Sequence, residues 1–162
     1  MSAFDPEFED LPAHIPLFPL SGVLLLPRGE LPLNIFEPRY LNMTEDALAG
    51  SRMIGMIQPT EHENSQPNPP LYKTGCAGRI VSFQETDDGR FLLTLKGICR
   101  FDVEEEISST RGYRPAVIDW SQYRDDLSAE SNTSIDRDKL LRSLKSYFKL
   151  HQISADWNAI AA

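Results

Sequence analysis

Apolar residues recur along the chain in short bursts separated by prolines and polar clusters, and the bursts sort by their period. Residues 15–20 (IPLFPL) predict a short strand with its prolines at an edge or a bulge. A Ser21-Gly22 turn follows, then a second strand over residues 23–26 that Pro27, Arg28 and Gly29 bring to an end. Leu31-Pro32-Leu33 predicts a bend. From Phe36 onward the period changes: Phe36, Tyr40, Met43 and Leu48 stand near helical spacing and Gly50 occupies the place of a C-cap glycine, which predicts a helix over residues 38–48. Residues 52–58 (RMIGMIQ) then predict a buried strand stopped by Pro59.

Residues 59–70 hold four prolines among polar side chains and read as a surface loop. Beyond it two β-rich runs, residues 79–85 and 90–101, flank Asp87-Asp88-Gly89, a hairpin turn in which Gly89 supplies the left-handed conformation. A three-residue loop sets Thr86 opposite Arg90, and so pairs Phe83 with Leu93 and Val81 with Leu95. A two-residue loop would instead set Phe83 against Thr94 and Val81 against Lys96, which separates the apolar partners. The favoured register also places Cys99 across from Ala77, so a bond to Cys76 would need a break in register. The strand continues toward Ile107, residues 113–120 (YRPAVIDW) predict another, and residues 125–132 read as a polar linker.

The C-terminal portion returns to a helical period. Thr133-Ser134-Ile135-Asp136 resembles a capping box ahead of a stripe of Leu140, Leu141, Leu144, Tyr147 and Phe148. Ser154 opens a further helix that carries Trp157 and Ile160 and is too short to be stable alone. The expectation is a truncated helical portion in which Trp157 is only partly covered and the C-terminal helices self-associate.

Composition narrows the class of protein more than the fold. A chain of 162 residues with 41% hydrophobic and 25% charged residues suits one ordinary domain with a real core. Its 16 basic and 24 acidic residues leave a net charge of −8, a field that opposes nucleic acid and anionic lipid as partners. Cys76 and Cys99 lack CxxC spacing, no basic segment precedes the apolar run, and no membrane span is legible, all of which fit a reducing cytoplasm. Residues 1–13, with Asp5, Glu7, Glu9 and Asp10, read as a partly disordered acidic tail pinned by Phe4 or Phe8.

Catalytic motifs are missing from this sequence. It contains no GxxxxGK[ST] phosphate loop, no GxGxxG after a strand and no GxSxG elbow. His14, His62 and His151 show neither HExxH nor HxH spacing. Ser143 and Lys145, two apart on a helix, point away from each other, and Glu104, Glu105 and Glu106 read as solvated edge charges. The residues predict no catalytic group, no metal and no cofactor.

A different kind of motif occupies residues 31–40 (LPLNIFEPRY), where a Pro-bent apolar approach meets Phe36 and Tyr40 beside the opposite charges Glu37 and Arg39. One reading is a strand-to-helix junction whose aromatics enter the core and whose charges bridge locally. The other is a recognition surface, because Arg and aromatic side chains on a rigid junction are common binding anchors.

With these residues the chain resembles the N-terminal substrate-recognition (LON) domain of Lon ATP-dependent proteases. The likeness runs through residues 15–20, 23–27 and 33–40, resumes at residues 75–80 (GCAGRI), and ends with residues 88–90 and 95–101 (LKGICRF). IFEPRY is closest in character to the stand-alone bacterial forms. The resemblance implies an α+β fold: a PUA-like β-barrel of short mixed strands with one intervening helix, then a C-terminal helical segment. The corresponding division is a tail over residues 1–13, a β-domain over 14–124 and a helical subdomain over 125–162. A full Lon protease continues into an ATPase module and a Ser-Lys protease domain; this sequence carries neither, so the implied role is non-catalytic capture of unfolded or degron-bearing polypeptides. Candidate contacts are Pro27, Leu33, Phe36, Arg39 and Tyr40. Glu37, Gly75, Gly78, Gly97, Arg100 and Phe101 match motif positions with a structural role, the glycines permitting bulges or close strand approach. The PUA-like likeness also admits RNA binding, which the charge opposes, and an enzyme with a site assembled in the tertiary structure is a third reading.

Overall fold

The computed structural model describes residues 2–61, 67–128 and 136–158. They fall into two compact units, Met1–Ala129 and Glu130–Ala162. The first holds β1 (His14–Pro19), β2 (Glu30–Ile35), α1 (Pro38–Ala49), β3 (Met53–Ile57), β4 (Thr74–Glu85), β5 (Phe91–Glu106) and β6 (Arg114–Asp119). The strands lie in the order β2-β5-β4-β3-β1-β6, and β5 pairs with β6 as well. The β1–β3 pairing is parallel and the others are antiparallel.

The pairings β1-β3-β4-β5-β6 thus form a closed circuit, while β2 hangs from the first half of β5. The sheet is a six-stranded mixed sheet and not the clean barrel expected. The 12-residue β4 and 16-residue β5 outrun the circuit, and the first half of β5 carries β2 beyond it. The sheet has a core on each face: one cluster includes Phe18, Leu33, Ile35, Tyr40, Ile80 and Leu95, the other Ile15, Leu17, Met53, Phe101 and Trp120. Between two cores β3 is buried at all five positions, so its sequence is a continuous apolar run and does not alternate.

Several expectations need correction. Residues 23–26 form a loop without a strand partner among the described residues; Leu25 is buried in the core and Val23 packs partly against it. Leu31-Pro32-Leu33 is no bend but the middle of β2. An edge strand tolerates Pro32 where its missing N–H faces away from the ladder. Gly50 caps α1 without a left-handed conformation (φ −119°), and Arg52 takes the positive φ of 61° instead.

The hairpin begins as its three-residue loop requires, with Thr86 N–H donating to Arg90 O at 2.9 Å and Phe83 facing Leu93. Two bulges then offset each other. Val81 is squeezed out of β4, so Ile80 faces Leu95; Ile98 is squeezed out of β5, and the original register returns at Ala77 and Cys99. Val81 consequently lies at the surface while Ile80 is buried, and Phe83, whose pairing the bulges leave unchanged, is 37% exposed.

The N-terminal stretch is tied down by more than an aromatic pin. The Asp5 side chain is 4% exposed between Arg79 and Lys96, at 3.0 and 2.5 Å. Phe8, in a short 3-10 turn, packs on the second core, whereas Phe4 points into solvent. Residues 121–127, expected in part as linker, form another 3-10 stretch whose Tyr123 and Leu127 pack on the same core.

In the second unit α2 (Arg137–Leu150) opens at Asp136, whose side chain accepts the Lys139 N–H at 3.0 Å. Thr133, Ser134 and Ile135 of the expected capping box, and Ile160, lie outside the described residues. No residue of α2 is buried, and Trp157 is half-buried against Phe148 with ring centroids 5.3 Å apart. Among the described residues no helix is long and apolar enough to cross a membrane.

Candidate functional site

The junction between β2 and α1 is built by Pro38. It stands at the first turn of α1, where a missing N–H costs nothing, and it holds Glu37 in an extended conformation (φ −72°, ψ 134°). This turns Tyr40 inward to stack on Phe18 at 4.3 Å, and leaves Phe36 64% exposed on the outside of the bend. Arg39 lies over the Tyr40 ring at 4.6 Å, donates to Glu37 Oε2 at 3.0 Å and to the Pro67 carbonyl at 2.8 Å. Its charge is therefore committed within the protein.

Leu33, Phe36, Glu37, Arg39 and Tyr40 border one cleft of about 340 Å3, together with Leu20, Val23, Leu31 and Pro32. They do not contribute alike. Leu33 and Tyr40 are core residues, 8% and 7% exposed, and form its floor; Phe36 is the apolar side chain that stands free above it. Pro27 does not line this cleft and belongs to the loop that crosses β5 at Gly97.

Gly97 is required by that crossing. Its N–H donates to the Gly29 carbonyl and its own carbonyl accepts from Arg28 N–H, both at 2.8 Å, so a Cβ there would run into the Leu26 carbonyl. Gly75 likewise leaves room for the Met56 carbonyl and the Phe101 ring, and Gly78 packs under Leu25 and Leu95.

A second cleft of about 330 Å3 adjoins the first at Val23 and is bordered by Leu24, Leu26, Gln58, Tyr72, Gly75, Cys76 and Arg100. Leu24, Leu26 and Tyr72 are 71%, 56% and 55% exposed, so with Phe36 they put an apolar band across both clefts. The sequence reading missed this half of the site because it placed residues 23–26 in a strand. The available signal was four apolar residues in a row without alternation, more than a half-exposed strand can hide.

The polar groups nearby are engaged. Arg100 makes a two-pronged pair with Asp126 at 2.7 and 2.9 Å, and stacks over Tyr123 at 4.9 Å. Hydrogen bonding from Arg100 holds the Asp126 carboxyl below the usual range, and Asp126 in turn holds the Arg100 guanidinium above its own. Burial would raise the Asp102 carboxyl, but bonds from Thr74 (2.6 Å) and Tyr123 (2.8 Å), with Lys73 nearby, bring it lower overall. Burial pushes the Cys76 and Cys99 thiols up to about 12, which keeps them protonated and unreactive at neutral pH. Among the described residues no group of three or more His, Cys, Asp or Glu could hold a metal ion. The arrangement offers an apolar surface with fixed polar edges.

Known proteins with similar sequences and structures agree with this architecture. The family described as the ATP-dependent protease La (LON) substrate-binding domain matches residues 14–158. A Lon protease of Flavobacterium johnsoniae is 27% identical over 78% of this chain, and one of Anaeromyxobacter dehalogenans is 29% identical over 84%. The chain spans only 16% of the length of either relative. A Lon N-terminal domain protein from Xanthomonas campestris is 25% identical, with a TM-score of 0.59 covering 85% of this chain and 73% of that one. The N-terminal domain of a Mycobacterium avium complex Lon protease shares the fold at 12% identity, TM-score 0.54, covering 86% of this chain and 69% of its own. By its sequence over most of its length, this chain belongs to the Lon substrate-binding domain family.

Proposed function

We propose that this chain is a non-catalytic polypeptide-binding module that captures unfolded or exposed apolar protein segments on the band formed by its two adjoining clefts. The observation that carries this reading is the band itself. Phe36, Leu24, Leu26 and Tyr72 expose large apolar side chains around concave surfaces, while the charged groups at their borders are already paired within the protein. Phe36 and Arg39 rim the first cleft above Leu33 and Tyr40, and Pro27 holds the loop carrying Leu24 and Leu26. Membership of a family named for substrate binding supports the same reading. The net charge of −8 argues against RNA as the occupant.

Titration with a permanently unfolded, alkylated polypeptide tests it. Saturable binding tighter than about 1 mM, equivalent to about −4 kcal/mol, is the expected result. Absence of binding up to that concentration removes the proposal, and a salt-sensitive complex with structured RNA would replace it.

A further inference from the structure

We infer that the occupant of the first cleft binds as an added β-strand along the outer edge of β2, and is an extended segment with alternating apolar and polar residues and neutral or basic flanks. This rests on the reading of the clefts as a polypeptide site and specifies how that site works. Among the described residues β2 is the only strand with a single partner: β1, β3, β4 and β6 each have two, and β5 has three. An unpaired edge is normally covered or blunted, because its free N–H and C=O groups recruit another strand.

The outward groups of this edge can be assigned. Gly97 N–H donates to Gly29 O, which sets Gly29 and the residues of like parity toward β5. Glu30, Pro32 and Asn34 therefore face away. Pro32 fits only there, since it has no N–H to give the ladder. The edge presents three carbonyls and the N–H groups of Glu30 and Asn34, and no backbone hydrogen bond from a described residue outside β5 reaches them. This edge also borders the cleft beneath Phe36.

A strand laid there would direct alternate side chains toward Leu20, Val23 and Phe36 and the others to solvent, which is the source of the alternation. The net charge of −8 repels acidic flanks. Segments of this kind are buried strands in folded proteins, so the edge would distinguish an unfolded chain from a folded one by its backbone.

The test compares two probes on the full chain: a short peptide in which valine and threonine alternate between terminal lysines, and the same peptide N-methylated at alternate amides. The parent peptide should bind, slow hydrogen exchange at Asn34, and lose at least about tenfold in affinity on methylation. Asn34→Pro, which deletes one outward donor, should weaken binding about three- to tenfold, whereas Asn34→Ala, which keeps it, should not. If Asn34→Pro fails to fold, the methylated peptide on the unchanged chain decides alone. Equal affinity for both peptides overturns strand addition. So does capture of unfolded polypeptide without binding of the parent peptide, and in both cases polypeptide capture at the clefts survives. A chain that pairs β2 with β2 of a second copy and is not dissociated by the parent peptide also overturns it. Failure of every polypeptide probe overturns both readings.

Discussion

The closed circuit of β1, β3, β4, β5 and β6 and the free-standing β2 differ in how their backbone and apolar surface are covered. In the circuit every strand has at least two partner strands, and residues 2–13 strap over the second core: Asp5 sits between Arg79 and Lys96, Phe8 and Leu11 pack inward, and the Pro12 carbonyl accepts from Trp120 Nε1 at 2.8 Å. Among the described residues one edge of β2 is unpaired and the neighbouring loop has no strand partner, and Leu24, Leu26 and Phe36 face solvent. Exposed apolar side chains thus stand beside the one strand that has a single partner among the described residues. On the proposed reading, stability resides in the circuit and binding takes place beside β2.

The largest effect that could break this comparison is expected at Phe101, fully buried in the second core. Phe101→Ala should cost about 3–5 kcal/mol in denaturant unfolding, and a loss under about 1 kcal/mol would show that the circuit is not the stable part. The hairpin offers a sharper contrast within one pair of strands. Leu95→Ala, at a wholly buried position, should cost about 2–5 kcal/mol, while Phe83→Ala, 37% exposed and set edge-to-face with Phe91 at 5.0 Å between ring centroids, should cost about 1 kcal/mol or less. Equal losses would mean that Phe83 is buried as fully as Leu95.

A smaller effect, dependent on pH, belongs to the strap. Burial alone would raise the Asp5 carboxyl, yet hydrogen bonds from Lys96, the Ser2 N–H and Arg79 bring it down to about 2. A lowered carboxyl stabilises the folded state above its unfolded value near 3.8, and that contribution fades as pH falls toward 2. Asp5→Asn should therefore cost roughly 2 kcal/mol at neutral pH and almost nothing at pH 2. A pH-independent loss in unfolding experiments would contradict the ion-pair account. The smallest effect on stability is expected at Phe36→Ala, within about 0.5 kcal/mol, because that side chain stands in solvent.

The sequence shows clearly those elements whose pattern is local. β1, α1, β3, the hairpin and β6 follow from period and turn chemistry within a few residues. β2 escaped because Pro32 reads as a bend unless the strand is known to be an edge. Residues 23–26 read as a strand because their apolar run is dense, although density without a partner marks a surface patch here. The paired bulges at Val81 and Ile98 cancel, so the Ala77–Cys99 pairing survives while the register between the bulges does not. The Asp5 site joins residues 74 and 91 positions apart, a distance that no local pattern spans. At the candidate site, residue types pointed to the junction, but burial divided the candidates: Leu33 and Tyr40 went to the core, Phe36 stayed outside, and Pro27 lies in the loop that carries Leu24 and Leu26.

The most direct measurement is a map of backbone amide chemical-shift changes as an unfolded polypeptide is titrated into the chain. The account predicts saturable shifts concentrated at Leu20, Val23, Leu24, Asn34, Phe36 and Arg39, little change at Phe101 or Ala116 in the circuit, and binding weakened by Phe36→Ala without loss of stability. Shifts centred on the closed circuit, or binding indifferent to Phe36→Ala, would contradict it.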